Sequence, residues 1–531
     1  MLVTTPELWP INATKIMKEK NIVPDQLKQL FENIWFPWED KYNTERVYFS
    51  LRIQQRPLFI VKPINTTELE TILNYVTEKA LTIRIMNGRH SSALVSSEVL
   101  VDMSLFRKLE IITVKSEKTK LQETKSEKLE SEEQLVVGAG NTQGSVNEFL
   151  FDQNGREIHS HFGSFIHPRI NTEAFPGGSA ATVGACSIAS MGGIGTLCRT
   201  YGLTANSVIS YTITLPPTET EKSKTVVASE NSYPDLYWAL RGGAGNNFGI
   251  ISETLFTVIE VPSVITYTVT WPFSEVADVL RAWDKHNNLP NNFNEDLSLF
   301  YNPAMKPETI NNASHKTVRA KTYSNSKRGM ELDGIYLMKD EESFNHAKKK
   351  IEKRLRCLPR GNVTINPPIK YSDLYRQKVR NRAYFNFSII QPIFSNDLHI
   401  EKSISLINQA KRNKLPGPLS IVFTLLGGII KDTSSSATAF YPRKKKYFID
   451  INVFWQEIRA TESMENWTVE AINTYFHKEH TYFYVGFPVT FSTLPYYNDP
   501  EIYYGKNTKR LLKIKREIDP LNILTPTGTL P

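Results

Sequence analysis

The sequence predicts an α+β protein of at least two domains, on three observations. Its 531 residues exceed the about 250–300 residues at which a single hydrophobic core stops growing. Strand-like and helix-like periodicities recur along the whole chain. Glycine gathers in the first half and becomes sparse from about Val261 to Gln456, so the two halves are built for different work. With 40% hydrophobic and 22% charged residues the chain is not mainly disordered, and 26 Gly with 29 Pro exclude a collagen-like repeat.

Taken in order, PLFIVKP (Pro57 to Pro63) reads as a short buried strand. NTTELETILNYVTEKA follows with helix periodicity behind a capping-type Asn or Thr, and LTIRIM is a second strand. That order places NGRHSS at a strand-to-loop edge, where sites are commonly built. The almost wholly charged stretch from Val114 to Gln134 lies between strand-like LEIITV and QLVVGAG, and is simplest as a surface excursion of a hairpin.

From Ala174 to Gly202 glycine and other small residues dominate, and a shorter cluster, WALRGGAGNNFGI, spans Trp238 to Ile250. Small side chains at this density let backbone amides approach a bound group, so two such segments point to a large anionic cofactor. Beyond them, helices (HAKKKIEKRL, SISLINQAKRN) alternate with aromatic and β-branched strands (RAYFNFSIIQ, SIVFTLLGGI, KKYFIDINVFW). This text builds a second domain around an antiparallel sheet. The tail RLLKIKREIDPLNIL carries a basic helix stopped at Asp519 and Pro520.

Charge and cysteine usage exclude several classes. The balance of 63 Lys plus Arg against 55 Asp plus Glu, +8 in all, is too slight to argue for nucleic acid. Cys186, Cys198 and Cys357 form no CxxC pair, so neither a disulfide framework nor a thiolate zinc site is expected. His159, His161 and His167 lack the HExxH spacing or paired carboxylates of a metal site. No recognisable signal peptide or long apolar run is present, and a soluble, by default cytoplasmic, protein is expected. Gly193 and Gly195 have dinucleotide-motif spacing, but Cys198 stands at the third glycine position and no hydrophobic strand precedes them.

Six segments, in order and over more than 400 residues, carry a resemblance. TIRIMNGRHSSALVSSEVLVDMSLFRKLEI, VVGAGNTQGSV, TVGACSIASMGGIGTLCRTYGLTANSVI and WALRGGAGNNFGII are joined by GGIIKDTSSSATAFYPRKKKYFIDINVFW and YYGKNTKRLLKIKREIDPLNIL. Together they resemble the vanillyl-alcohol-oxidase or PCMH-type FAD oxidoreductases, in the berberine-bridge-enzyme-like branch. The resemblance implies a two-subdomain PCMH-type FAD-binding domain plus an antiparallel-sheet substrate domain flanked by helices. Residues 1–260 would form the first, residues 261–480 the second, and residues 481–531 would return to the FAD domain.

The resemblance also implies a site. Asn87, Gly88, Arg89, Ser91, Gly138, Gly140, Gly144, Thr182, Val183, Gly184, Ser187, Gly192, Gly193, Gly195, Ile250 and Asn498 would bind FAD, with backbone N–H groups cradling the pyrophosphate. His90 would attach the flavin covalently. Ala180 stands where the family's second, cysteinyl attachment would be, so linkage through His90 alone is expected. Met86 and Arg89 replace the family's Arg and second Gly, and Cys186 stands at a usual Gly.

For chemistry the family places a tyrosine in the stretch matched by Tyr496, Tyr497, Asn498 and Asp499, with Asp499 at the usual tyrosine position. Tyr497 or Tyr496 in a shifted register, Asp499 as base, or loss of the usual chemistry all fit. Tyr384, Asn386, Gln391, Trp455 and Gln456 are the candidate substrate contacts. The function so implied is oxidation of an alcohol or carbohydrate hydroxyl, a small-molecule substrate, by hydride transfer to covalently bound FAD. Dioxygen would be the acceptor and hydrogen peroxide the product. A flavin dehydrogenase or oxidative cyclase of secondary metabolism, or a catalytically altered flavin-binding protein, are the alternatives.

Overall fold

The computed structural model describes the chain except residues 1–8, 91–96, 116–130, 152–155, 161–162, 168–172, 179, 304–328, 340, 381–386, 492–493, 495–498, 525–528 and 531. Near the N-terminus, strand Phe59–Val61, helix Thr66–Glu78 and strand Ile83–Met86 follow one another as the periodicity predicts. Asn65 caps the helix, its Oδ1 accepting from the Glu68 amide at 2.9 Å, an interaction typically worth about 1 kcal/mol. The two strands do not pair directly: Val99–Asp102 lies between them, parallel to both. Phe59–Val61 and Val99–Asp102 are buried throughout, as parallel strands covered on both faces must be, while Ile83–Met86 is buried at its two ends and half-buried at Arg84 and Ile85.

A seven-stranded mixed sheet follows. Its strands Leu109–Lys115 and Ser131–Gly138 are antiparallel, so the charged excursion does connect a hairpin, although most of it lies outside the described residues. Strand Ile250–Thr257, which leaves the second glycine cluster, pairs with Ser131–Gly138 and with Val208–Leu215.

Eight antiparallel strands drawn from Val264 to Phe483 form the largest sheet. Across its middle run Met330–Leu337, Phe293–Tyr301, Leu419–Leu425, Tyr447–Trp455 and Phe387–Ser395, in that spatial order. Helices Val276–Lys285, Ile400–Arg412 and Thr461–Tyr475 cover one face, and Leu297, Ile421, Ile451 and Val453 are buried within the core. Period-two alternation sends their neighbours to the opposite face. The tail returns to the first half of the chain: Leu524 bridges to Ile83, and the Tyr504 hydroxyl donates to the Gly243 carbonyl at 3.2 Å. Among the described residues no helix is long and apolar enough to cross a membrane.

Candidate active site

A cleft of about 690 Å³ lies between the glycine-rich segments and the open face of the eight-stranded sheet, within the about 300–1,000 Å³ usual for ligand clefts. The first and third glycine segments meet at its wall. A Cβ on Gly88 would stand 2.2 Å from the Gly184 nitrogen, so only glycine permits this approach. His90 Nε2 lies 2.7 Å from Thr182 Oγ1, and its ring stacks on Phe49 with centroids 4.5 Å apart. The second segment joins through the backbone, the Gln143 and Gly144 N–H groups donating to the Val183 and Ala181 carbonyls at 2.8 Å.

Asn87, Gly88, Arg89, His90, Val183, Gly184, Ser187 and Gly195 line the cleft. Thr182 touches it through His90. Gly138, Gly140, Gly144, Gly192, Gly193 and Ile250 are not among the lining residues. Close packing surrounds several of them: a Cβ at Gly138 or Gly140 would strike the Phe106 or Met103 carbonyl, while Gly192 and Gly193 turn at φ +99° and +81° against Phe440 and Thr204. Ile250 is buried in its strand. Ser91 and Asn498 fall outside the described residues.

Arg89 occupies a left-handed backbone conformation, φ 62°, where the resembling family has glycine. Its guanidinium is not aimed at a phosphate site. It bonds the fully buried Asp102 carboxylate at 2.8 Å and Glu45 at 3.4 Å, and that charge-assisted anchoring offsets the backbone strain. Arg84 is the other cation lining this wall, 4.9 Å over the Tyr48 ring. Tyr48 Oη and Gln143 Oε1, both on lining residues, are buried without hydrogen-bond partners. A long cleft with a glycine-only loop contact, an arginine and orphaned polar atoms fits a large phosphate-bearing planar group such as FAD.

The sheet supplies the facing wall. Asn294, Asp296 and Ser298 from one strand, Ser420 and Thr424 from the next, and Asp450 and Asn452 from a third all face the cleft. Asp296 accepts from the Thr424 hydroxyl at 2.6 Å, whereas Asp450 Oδ1 and both amide atoms of Asn294 have no hydrogen-bond partner. Burial pushes the Asp450 carboxyl up to about 7; Asn452 opposes this and the Asp296 charge adds to it. Tyr484 also lines the cleft, and burial holds its phenol well above the ordinary tyrosine range.

Several sequence-predicted chemical groups lie elsewhere. Asp499 is not a lining residue: its carboxylate pairs with Lys478 at 2.7 Å and accepts from the Glu501 amide at 2.9 Å, closing the turn before a short helix. Tyr496, Tyr497, Tyr384 and Asn386 lie outside the described residues. Trp455 is fully buried and away from the cleft, stacked on Phe387 and bonded to Thr461. Gln391 sits between two lining neighbours on its strand but points away, donating to the Phe487 carbonyl at 3.0 Å. Asp450 and the Asn294 row were missed by the sequence reading. Their signal was present as alternating polar residues in FNEDLSLFY and YFIDINVFW, but Glu295 interrupts the first pattern.

Comparison with known proteins accords with this geometry. The family described as berberine and berberine like matches residues 484–525, the segment that contributes Tyr484 to the cleft and then packs back against the first half of the chain. An uncharacterised FAD-linked oxidoreductase of Bacillus subtilis is 25% identical over 517 residues, covering 92% of this chain and 94% of its own. Tetrahydroberberine oxidase of Berberis wilsoniae is 23% identical over 90% of this chain and 85% of its own length. Among solved structures, a chitooligosaccharide oxidase shares the fold with a TM-score of 0.71 at 17% identity, covering 98% of this chain and 99% of its own. A glucooligosaccharide oxidase of Acremonium strictum, which carries a 6-S-cysteinyl, 8α-N1-histidyl FAD, aligns with a TM-score of 0.70 at 17% identity over 92% of this chain and 95% of its own.

Proposed function

We propose that this chain is a berberine-bridge-like FAD-linked oxidoreductase that oxidises an alcohol or carbohydrate hydroxyl, with the Asp450 carboxylate taking the hydroxyl proton. Bound FAD supplies the hydride acceptor, and dioxygen takes the electron pair onward to give hydrogen peroxide. Asn87, Gly88, Val183, Gly184, Ser187 and Gly195 would hold the cofactor from the glycine-rich wall, and His90 would attach it.

The observation that carries the assignment is the Asp450 carboxyl, which faces the cleft with an unpartnered oxygen and a pKa raised to about 7. A general base works best when its pKa lies near the working pH. The cleft's described phenols, Tyr48 and Tyr484, are both held above the ordinary tyrosine range by burial. As the C–H hydrogen leaves the substrate with its electron pair, the hydroxyl proton passes to an Asp450 oxygen and a carbonyl product forms. Phe448 and Phe454, on the same strand face as Asp450, line the cleft with apolar surface and exclude water.

A panel of sugars and simple alcohols, followed by flavin bleaching without oxygen and peroxide release with it, tests the reading. Bleaching with stoichiometric peroxide is expected. Bleaching without peroxide points to a dehydrogenase, and a flavin that no alcohol reduces contradicts the proposal.

A further inference from the structure

The two walls of the cleft differ in charge. Arg84, Arg89 and His90 belong to the glycine-rich wall, whereas the sheet wall carries Asp296, Asp333 and Asp450 and, among its described lining residues, no Lys, Arg or His. The chain as a whole is basic, at +8, so this acidic wall does not follow from composition. Asp296 and Asp333 stand opposite each other on paired strands, and Asp296 lies near enough to Asp450 for their charges to repel.

Asn294 adds an independent indication of a ligand. It is 7% exposed, sits two residues before Asp296 on the same strand face, and lines the cleft with neither amide atom hydrogen-bonded. Burying such an amide without partners costs about 1–3 kcal/mol, a cost that a bound polar group would remove.

We propose that the sheet wall is a subsite for a protonated amine, and that the substrate is a hydroxylated compound carrying an ammonium group which seats between the paired Asp296 and Asp333 beside Asn294, leaving Asp450 to the hydroxyl. This deepens the alcohol-oxidation reading and rests on it. A neutral polyol would satisfy Asn294 but leave the carboxylates repelling one another, whereas an ammonium relieves the repulsion and donates three hydrogen bonds. Asp333, exposed at the rim of the same strand pair, draws the cation inward.

Isothermal titration of the full-length, flavin-loaded protein in phosphate buffer tests the subsite with matched probes: glucosamine against glucose, and tris(hydroxymethyl)aminomethane against pentaerythritol. The amines are expected to bind about tenfold tighter or more, with a preference that shrinks as salt is added. Asp296→Asn should abolish the preference. Asp333→Asn, a change at an exposed position, should weaken it without disturbing the fold. Equal or tighter binding of the neutral members, absence of binding by any probe, or a preference that survives both variants overturns the proposal. Flavin absorbance of the same samples separates the two levels: a yellow protein without amine preference removes the subsite alone, and a colourless one removes the oxidation reading beneath it.

Discussion

Arg354 holds Glu295 through two bonds of 2.8 and 3.0 Å, with both side chains almost fully buried. Glu295 also accepts from the Tyr267 hydroxyl and the Trp283 indole, each at 2.7 Å. This network on the helix-covered face fixes the strand's rotation, and strand alternation then turns Asn294 and Asp296 toward the cleft. The buried ion pair is thus a positioning device for the substrate wall.

Removing one partner should be costly, because it leaves the other charge buried alone. Arg354→Met is expected to lower stability by about 3–5 kcal/mol, and joint replacement with Glu295→Leu to recover much of it. Denaturant unfolding of the two variants beside the wild type measures this. A single variant as stable as the wild type would show that the pair does not anchor the strand.

Asp450→Asn should retain flavin yet lose about 10²–10⁴-fold in turnover, the usual worth of a positioned general base. In the unaltered enzyme kcat/KM should rise with pH through about 7, as the carboxyl ionises. Stability carries the opposite sign. A carboxyl raised from about 3.9 in the unfolded chain binds its proton more tightly when folded, so its contribution is full at low pH and is lost as pH climbs through about 7. The variant's melting temperature should therefore overtake the wild type's above neutrality. A flat pH–rate profile would remove Asp450 from the chemistry.

Gly88→Ala should displace the first loop from the third, since its methyl would stand 2.2 Å from a backbone nitrogen that has no rotamer with which to yield. Overpacking of this kind costs about 1–3 kcal/mol. The flavin-to-protein absorbance ratio and the melting temperature should both fall. Full flavin occupancy in this variant would mean that the Gly88–Gly184 contact does not shape the cofactor wall.

Much of the cofactor half was legible in the sequence because glycine carries its reason locally. Gly88 and Gly184 mark a backbone contact that no other residue allows, and Asn65 announces its helix by a cap made within three residues. Glycine density also reflects packing: Gly138 and Gly140 sit too close to neighbouring backbone to carry a Cβ. The substrate wall was harder to read. Asn294 and Asp450 reach the same sheet face only through the pairing of strands more than a hundred residues apart, and Glu295 disguises the polar alternation by serving a buried ion pair on the other face. Gln391 and Trp455 were plausible by residue type, but strand register turns both away from the cleft.

The absorbance spectrum of the purified full-length chain, taken before and after acid precipitation, tests the central claim most directly. FAD attached through His90 predicts a yellow protein whose colour stays with the pellet, and a His90→Ala variant whose colour passes to the supernatant. A protein that is purified without any flavin absorbance, and takes none up when FAD is added, would contradict the account.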